Sequence, residues 1–157
     1  MSATTTTTNG AGAARATDPA GVVEAFLAAM EAGDVDAAVA LLDDDIAYTN
    51  VSLPTIHGRR GVERLARLVF DRLGMHFRVV VHGIAVEGDV VLTERTDALG
   101  LGRFEQRFWV CGRFEVRDGR ITVWRDYFDW ADITVSLLRG ALGAVVPALN
   151  RRWPSGG

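Results

Sequence analysis

A chain of 157 residues is long enough for one domain with a real hydrophobic core. Its composition, 48% hydrophobic and 24% charged, is ordinary for a globular protein, and a formal net charge of −3 argues against a nucleic-acid partner. No stretch approaches the roughly 18 apolar residues of a membrane span. The single cysteine, Cys111, is expected to be a small core residue, and one unpaired cysteine is consistent with a reducing compartment. We therefore expect a soluble cytoplasmic protein with one domain over residues 17–150.

Both ends of the chain are predicted to be tails. Residues 1–16 are rich in Thr, Ala and Gly, so we expect them to be disordered, and residues 151–157 form a second tail. The first helix begins at Asp18, a capping residue that precedes Pro19 at the first helical position. Gly33 ends this helix.

The next segment is predicted to hold two helices and one strand. A second short helix places Leu42 on its buried side. The acidic run at 43–45 is interpreted as a solvated turn, because no histidine or further carboxylate cluster lies nearby in sequence to complete a metal site. Alternation predicts a strand over 46–51, and apolar positions at helical spacing predict a third helix over 59–73, with Leu73 on its buried side.

From residue 76 onward, the hydrophobic period changes from helical to alternating. Strands are predicted at about 76–86, 90–99, 103–117 and 120–128, the last two joined by the hairpin signal Asp118-Gly119. A final helix follows from Trp130. This order predicts an α+β fold with a curved, mixed or largely antiparallel sheet. The helices pack on one side of the sheet, and the concave side encloses a pocket.

One carboxylate of the last predicted strand is a candidate for chemistry. Asp126 lies between Trp124 and Phe128 on one face of that strand, because alternate side chains of a strand point the same way. A carboxylate between two aromatic side chains is costly to desolvate unless it is paired or used. Asp129, by contrast, precedes a helix and has the features of an N-cap.

Four further polar side chains are predicted to point into the same pocket. They are Arg95, Asp97, Tyr48 and Asn50, and the apolar residues expected beside them are Leu99, Phe108, Val110 and Phe128. Two carboxylates in an apolar site titrate as a coupled pair that can hold one proton, and a guanidinium between them reduces the cost of burial. Such a site can add water to a strained electrophile without a metal, a cofactor or a covalent intermediate. The alternative interpretation is a plain ion pair on an exposed sheet face.

At these residues the chain resembles the limonene-1,2-epoxide hydrolase family, within the nuclear-transport-factor-2-like superfamily. The resemblance covers roughly residues 18–140 and is carried by Tyr48-x-Asn50, by Glu94-Arg95-Thr96-Asp97 and by the stretch Trp124-Arg125-Asp126-Tyr127-Phe128-Asp129. The stretch Phe108-Trp109-Val110-Cys111-Gly112 indicates an actinobacterial branch. The resemblance implies a cone-shaped sheet of six strands that helices close on one side. One short strand near 55–58 would therefore be missing from the elements predicted by spacing.

The resemblance also implies an activity and a role for each polar residue. The reaction is the one-step hydrolysis of an epoxide, here a small apolar one, to a vicinal diol. Asp126 would deprotonate water with the help of Tyr48 and Asn50, Asp97 would protonate the opening epoxide oxygen, and Arg95 would bridge the two aspartates. Which aspartate holds the proton at rest is left open.

Two other classes of protein are also compatible with the sequence. A ketosteroid-isomerase-like or polyketide-cyclase-like enzyme would use the same cone with other residues, and His82, in the middle of a predicted strand, is the candidate base for it. A noncatalytic ligand-binding module would leave the five polar residues scattered. The apolar outer positions of the sheet, such as Trp109, are consistent with a homodimer.

Overall fold

A computed structural model describes residues 18–146 of the chain, so both predicted tails lie outside the described residues. In chain order, the elements are α1 (Pro19–Ala32), α2 (Val35–Ala40), β1 (Leu42–Asn50), β2 (Ile56–His57), α3 (Arg59–Arg67), a π-helical turn (Leu68–Arg72), β3 (His76–Glu87), β4 (Val90–Leu101), β5 (Phe104–Arg117), β6 (Arg120–Phe128) and α4 (Trp130–Val145). No helix within residues 18–146 combines the length and the apolar character needed to cross a membrane.

The six strands form one curved, unclosed sheet in the order β2-β1-β6-β5-β4-β3. β1 runs parallel to β6, and the other neighbouring pairs are antiparallel. Asp118 and Gly119 both have positive φ, 49° and 75°, as a two-residue hairpin turn requires, and they join β5 to β6. The α+β fold class is therefore confirmed, and so is the sixth strand, β2, near residues 55–58.

Helix α1 closes the concave side of the sheet. The Asp18 side chain accepts a hydrogen bond from the Ala20 amide at 3.2 Å, and Gly33 ends the helix with φ of 70°, as predicted. Its apolar side carries Phe26, whose ring meets those of Phe114 and Trp124 on the sheet at centroid distances of 6.4 and 4.9 Å. These contacts belong to one core that α1, α2, α3 and the sheet share.

Helix α4 lies along β5 instead of covering the concave side. Where β6 ends, its place beside β5 is taken by α4: the Trp109 amide donates to Asp132 Oδ2 at 3.2 Å, and Gln106 Nε2 donates to the Ile133 carbonyl at 3.1 Å. A Cβ at Gly140 would lie only 2.6 Å from the Glu105 carbonyl oxygen, so a small residue is needed there. The buried residues of α4 are all small: Ser136, Gly140 and Gly143. The helix continues without a break through both glycines.

The boundary between α2 and β1 differs from the prediction. Helix α2 ends at Ala40, and Leu42 is the first residue of β1, so the acidic run at 43–45 is part of that strand and not a turn. The Ile121 amide donates to the Leu41 carbonyl at 2.9 Å, which starts the pairing with β6 early. Two adjacent exposed residues, Asp44 and Asp45, interrupt the alternation that would have revealed the strand.

The third helix also differs from the prediction. It is α-helical only to Arg67 and continues as the π-helical turn, in which backbone hydrogen bonds span five residues instead of four. Because the angular spacing changes there, Leu73 is exposed instead of buried.

The position of Cys111 also differs from the prediction. It is half-buried on the convex face of the sheet, together with Trp109, and not in the core.

Candidate active site

A cavity of about 260 Å³ lies between the helices and the concave face of the sheet. Its polar side chains all come from the sheet and are the five residues that the sequence indicates: Tyr48, Asn50, Arg95, Asp97 and Asp126. Three strands that are not consecutive in sequence, β1, β4 and β6, supply them. The five polar residues therefore converge on one site, in contrast to the scattered arrangement expected of a noncatalytic module.

Arg95 is the centre of this site. Only 1% of its surface is exposed, and each of its three guanidinium nitrogens has an acceptor. Nε donates to both carboxylate oxygens of Asp97 at 2.9 and 3.1 Å, Nη2 donates to Asp126 Oδ1 at 2.7 Å, and Nη1 donates to Thr93 Oγ1 at 3.0 Å. The guanidinium carbon also lies 5.7 Å from the centre of the Phe114 ring.

Thr93 and Gly112 complete the surroundings of Arg95, and sequence reasoning assigned no role to either. They face each other across β4 and β5, and Gly112 also faces Asp126 across β5 and β6. A Cβ on Gly112 would overlap Arg95 Nη1 and lie 2.7 Å from Thr93 Oγ1. Gly112 therefore leaves the space that the guanidinium fills. The signal for Thr93 was its position two residues before Arg95, on the same strand face.

The electrostatics of the site favour one proton on the pair of aspartates. Burial raises the pKa of Asp97 to about 7, against the opposing charge of Arg95 and with a further increase from Asp126. Burial also raises the pKa of Asp126, and Arg95 again opposes the rise. Burial lowers the pKa of Arg95, but the two carboxylates outweigh it and raise that pKa overall, so the guanidinium stays charged. One positive charge thus lies between two acids that resist ionising together.

Tyr48 and Asn50 form a fixed pair beside Asp126. The Tyr48 hydroxyl donates to Asn50 Oδ1 at 3.0 Å, which leaves the Asn50 amide NH₂ available to a ligand. Burial, and after it the charge of Asp126, raises the pKa of Tyr48 above its ordinary value, so the phenol stays neutral. Asn50 lies directly opposite Asp126 across β1 and β6, within reach of the same bound molecule.

The apolar lining agrees in part with the sequence. Leu99, Phe108 and Phe128 line the cavity, but Val110 does not, since it is fully buried within the sheet beside Arg95 and Phe128. Most of the remaining wall comes from the helices and the π-helical turn: Phe26, Leu27, Met30, Ala38, Val39, Val62, Leu65, Ala66, Val69 and Phe70. Strand faces alone do not reveal this part of the wall, whereas the apolar stripes of these helices do.

The other polar candidates lie outside the cavity. His82 is exposed on the convex face of the sheet, where its Nε2 lies 2.9 Å from Thr96 Oγ1, and His57 and His76 are exposed as well. Asp129 caps α4, as predicted, by accepting from the amides of Ala131 and Asp132 at 2.9 and 3.3 Å. Within residues 18–146, no group of three or more His, Cys, Asp or Glu side chains could hold a metal ion.

Comparisons with known proteins identify relatives of this chain. The model of the limonene-1,2-epoxide hydrolase (LEH) catalytic domain matches residues 17–139. Epoxide hydrolase EphG of the actinobacterium Mycobacterium tuberculosis is 51% identical over 128 residues, which cover 82% of this chain and 85% of that protein. The structure of an M. tuberculosis LEH-like epoxide hydrolase superposes with a TM-score of 0.81 at 47% identity, over 87% of this chain and 96% of that chain.

A more distant structure shows the breadth of the fold. An NTF2-like protein of unknown function from Cytophaga hutchinsonii has a TM-score of 0.61 at 19% identity, over 74% of this chain and 94% of that chain. At this level of identity the likeness concerns the fold alone, which this chain shares with that NTF2-like protein.

Gly112→Ala tests whether the position of the Arg95 guanidinium depends on the absence of a Cβ at residue 112. We expect a loss of about 1–3 kcal/mol in the free energy of unfolding, because the new methyl group overpacks a buried charged side chain. Activity should fall by about tenfold or more, because the carboxylates of Asp97 and Asp126 are displaced together with Arg95 and lose their productive geometry. Urea denaturation and initial rates would measure the two effects.

Gly83→Ala is the matched control, since a Cβ there would meet nothing within 4 Å. Its free energy of unfolding should stay within about 0.5 kcal/mol of the wild type. Equal effects of the two substitutions would contradict a special role for Gly112.

Proposed function

The chain belongs to the limonene-1,2-epoxide hydrolase family and is an epoxide hydrolase, and from this premise we propose that it hydrolyses an apolar epoxide in one step through Asp97, Arg95 and Asp126. The observation that supports this proposal most is the single guanidinium between two buried carboxylates. The guanidinium holds both acids in one apolar cavity. Because the two acids lie close together, ionisation of the second one is unfavourable.

In the proposed reaction, the ionised Asp126 removes a proton from a water molecule that Asn50 and Tyr48 hold. The water oxygen attacks one epoxide carbon as the carbon–oxygen bond breaks, and the leaving oxygen takes the proton of Asp97. The product is a vicinal diol, and no covalent bond forms between enzyme and substrate. The pair of aspartates still holds one proton, now on Asp126, and exchange with water returns it to Asp97.

The lining and the volume of the cavity favour a compact, apolar substrate. Apart from the five polar side chains, its lining is aliphatic or aromatic, so an epoxide with a hydrocarbon body would be held by burial of its apolar surface. A volume of about 260 Å³ lies just below the usual range of ligand pockets, which is roughly 300–1,000 Å³. Water is the second substrate.

A panel of apolar epoxides in isotopically labelled water tests the reaction and its base together. The wild type should produce diols that carry one labelled oxygen. Asp126→Asn should lower kcat by about 10²–10⁴-fold, because it removes the general base. Mass spectrometry of the diols measures label and rate.

Asp129→Asn is the control for this experiment, because Asn caps helices as well as Asp does and should leave the rate within about twofold. The proposal fails if no member of the panel gives a labelled diol, or if Asp126→Asn matches the wild type.

The pH dependence of kcat/KM should be bell-shaped. Asp97 must be protonated to act as the acid, so activity should fall as the pH rises above about 7, where Asp97 loses its proton. Activity should also fall at low pH, as Asp126 becomes protonated. Asp97→Asn should be slower by about 10²–10⁴-fold and should lose the alkaline limb. A wild-type rate that stays constant from about pH 6 to 9 would contradict Asp97 as the acid.

We also propose a homodimer formed through the convex face of the sheet. Leu92, Trp109 and Tyr127 lie on that face of three adjacent strands and are 45%, 44% and 38% exposed, so a second copy packed there would bury all three. Sedimentation velocity should give a dimer for the wild type and a monomer for Trp109→Asp, with the fold intact by circular dichroism. A monomeric wild type at micromolar concentration would refute this assembly.

A further inference from the structure

Trp124 has the one buried side-chain polar atom without a hydrogen-bond partner in the part of the chain that the structure describes. The residue is 8% exposed and lines the cavity, and the orphaned atom is the indole Nε1. A buried donor without an acceptor is costly, so its presence in a packed protein needs an explanation.

The indole ring is fixed on several sides. The Tyr48 ring lies over it with centroids 4.0 Å apart, Phe26 meets it edge-on at 4.9 Å, and Phe114 is stacked with it at 6.3 Å. Four packed aromatic rings leave little freedom for the indole to rotate. The direction of its N–H is therefore set by the core and not by a bonding partner.

The carboxylate of Asp126, two residues further along the same face of β6, is an acceptor beside the indole. Its Oδ1 accepts from Arg95 Nη2, and no side chain among residues 18–146 donates to its Oδ2. The indole N–H lies near enough to lower the pKa of Asp126, although it does not meet the geometry of a full hydrogen bond. The unpaired indole donor and the free Oδ2 of Asp126 therefore belong to neighbouring side chains on one strand face.

Among residues 18–146, Asp97 has no neighbour equivalent to Trp124. Both of its oxygens face Arg95 Nε, and the influences on its pKa, after burial, are Arg95 and Asp126 alone. The charged or titratable side chains that line the cavity with Asp126 are Arg95 and Asp97 from β4 and Tyr48 from β1, while the helices contribute only apolar side chains. Arg95 serves both carboxylates, so it does not by itself distinguish acid from base.

We propose that Trp124 is a positioning residue that donates its indole N–H to the free oxygen of ionised Asp126 and thereby makes Asp126, rather than Asp97, the base of the pair. A hydrogen bond to the charged form of a group favours that form, and this one acts on a single member of the pair. The proton at rest then stays on Asp97. The inference rests on the proposed function, because it concerns the same two carboxylates.

Trp124→Phe tests the inference, because it keeps an aromatic ring and removes the N–H. The acid limb of the kcat/KM profile, which reports ionisation of Asp126, should move up by about one pH unit, while the alkaline limb moves little. Trp130→Phe is the matched control, because Trp130 is 44% exposed and lies outside the cavity lining, and it should leave both limbs in place. A slower Trp124→Phe enzyme whose acid limb coincides with that of the wild type would show that Trp124 only packs, and would overturn the inference.

A second measurement needs neither turnover nor a stable variant at position 124. In ¹H–¹⁵N spectra of the wild-type protein, the indole resonance of Trp124 should shift as Asp126 titrates, and this shift should vanish in Asp126→Asn. The resonances of the other three tryptophans provide internal controls. A Trp124 resonance that does not respond to pH overturns the inference, whereas loss of epoxide turnover with the titration intact would count against the proposed function alone.

Discussion

The structure depends on one buried cation. Arg95 is almost completely removed from water, a location that costs several kcal/mol unless every donor is paired with good geometry. Its acceptors come from β4 and from β6, which lie on opposite sides of β5. The guanidinium must therefore cross over β5, and Gly112 is the residue that lets it pass. The strand order, the glycine and the charge pair are parts of a single constraint.

The same constraint accounts for the proposed chemistry. Two carboxylates on one guanidinium carry an excess negative charge, and the apolar wall from α1, α2 and α3 keeps that charge from being solvated. A proton is the simplest way to remove the excess, so the pair tends to hold one. A site that is half ionised in this way contains an acid and a base together. The helices therefore do more than close the cone, because their apolar surfaces raise the pKa values of both aspartates.

Much of this arrangement could be predicted from the sequence, and the reasons are physical. Long strands with strict alternation assign each side chain to a face, and this placed Arg95, Asp97 and Asp126 on one surface. β2 has only two residues, too few for any alternation, and was implied only by the family resemblance. The acidic start of β1 does not alternate, because it is exposed on both sides. Val110 shows the limit of face assignment, since a buried residue on the pocket side need not reach the cavity.

Some features arise only from the folded chain. The orphaned indole of Trp124 and the space beside Gly112 depend on packing between strands, which no spacing along one strand reveals. The fold itself does not determine the chemistry, because one fold can carry many unrelated functions. The activity must therefore be argued from the side chains in the cavity.

We expect Asp97 and Asp126 to share one proton across Arg95 near neutral pH. Carbon-13 NMR of the aspartate carboxyl carbons would test it most directly, with Asp97→Asn and Asp126→Asn used to assign the two signals. The two carboxyls should titrate in separate steps, with Asp97 protonated up to a pH of about 7. If both carboxyls instead ionise together near pH 4, as exposed aspartates do, they do not share a proton, and this expectation is wrong.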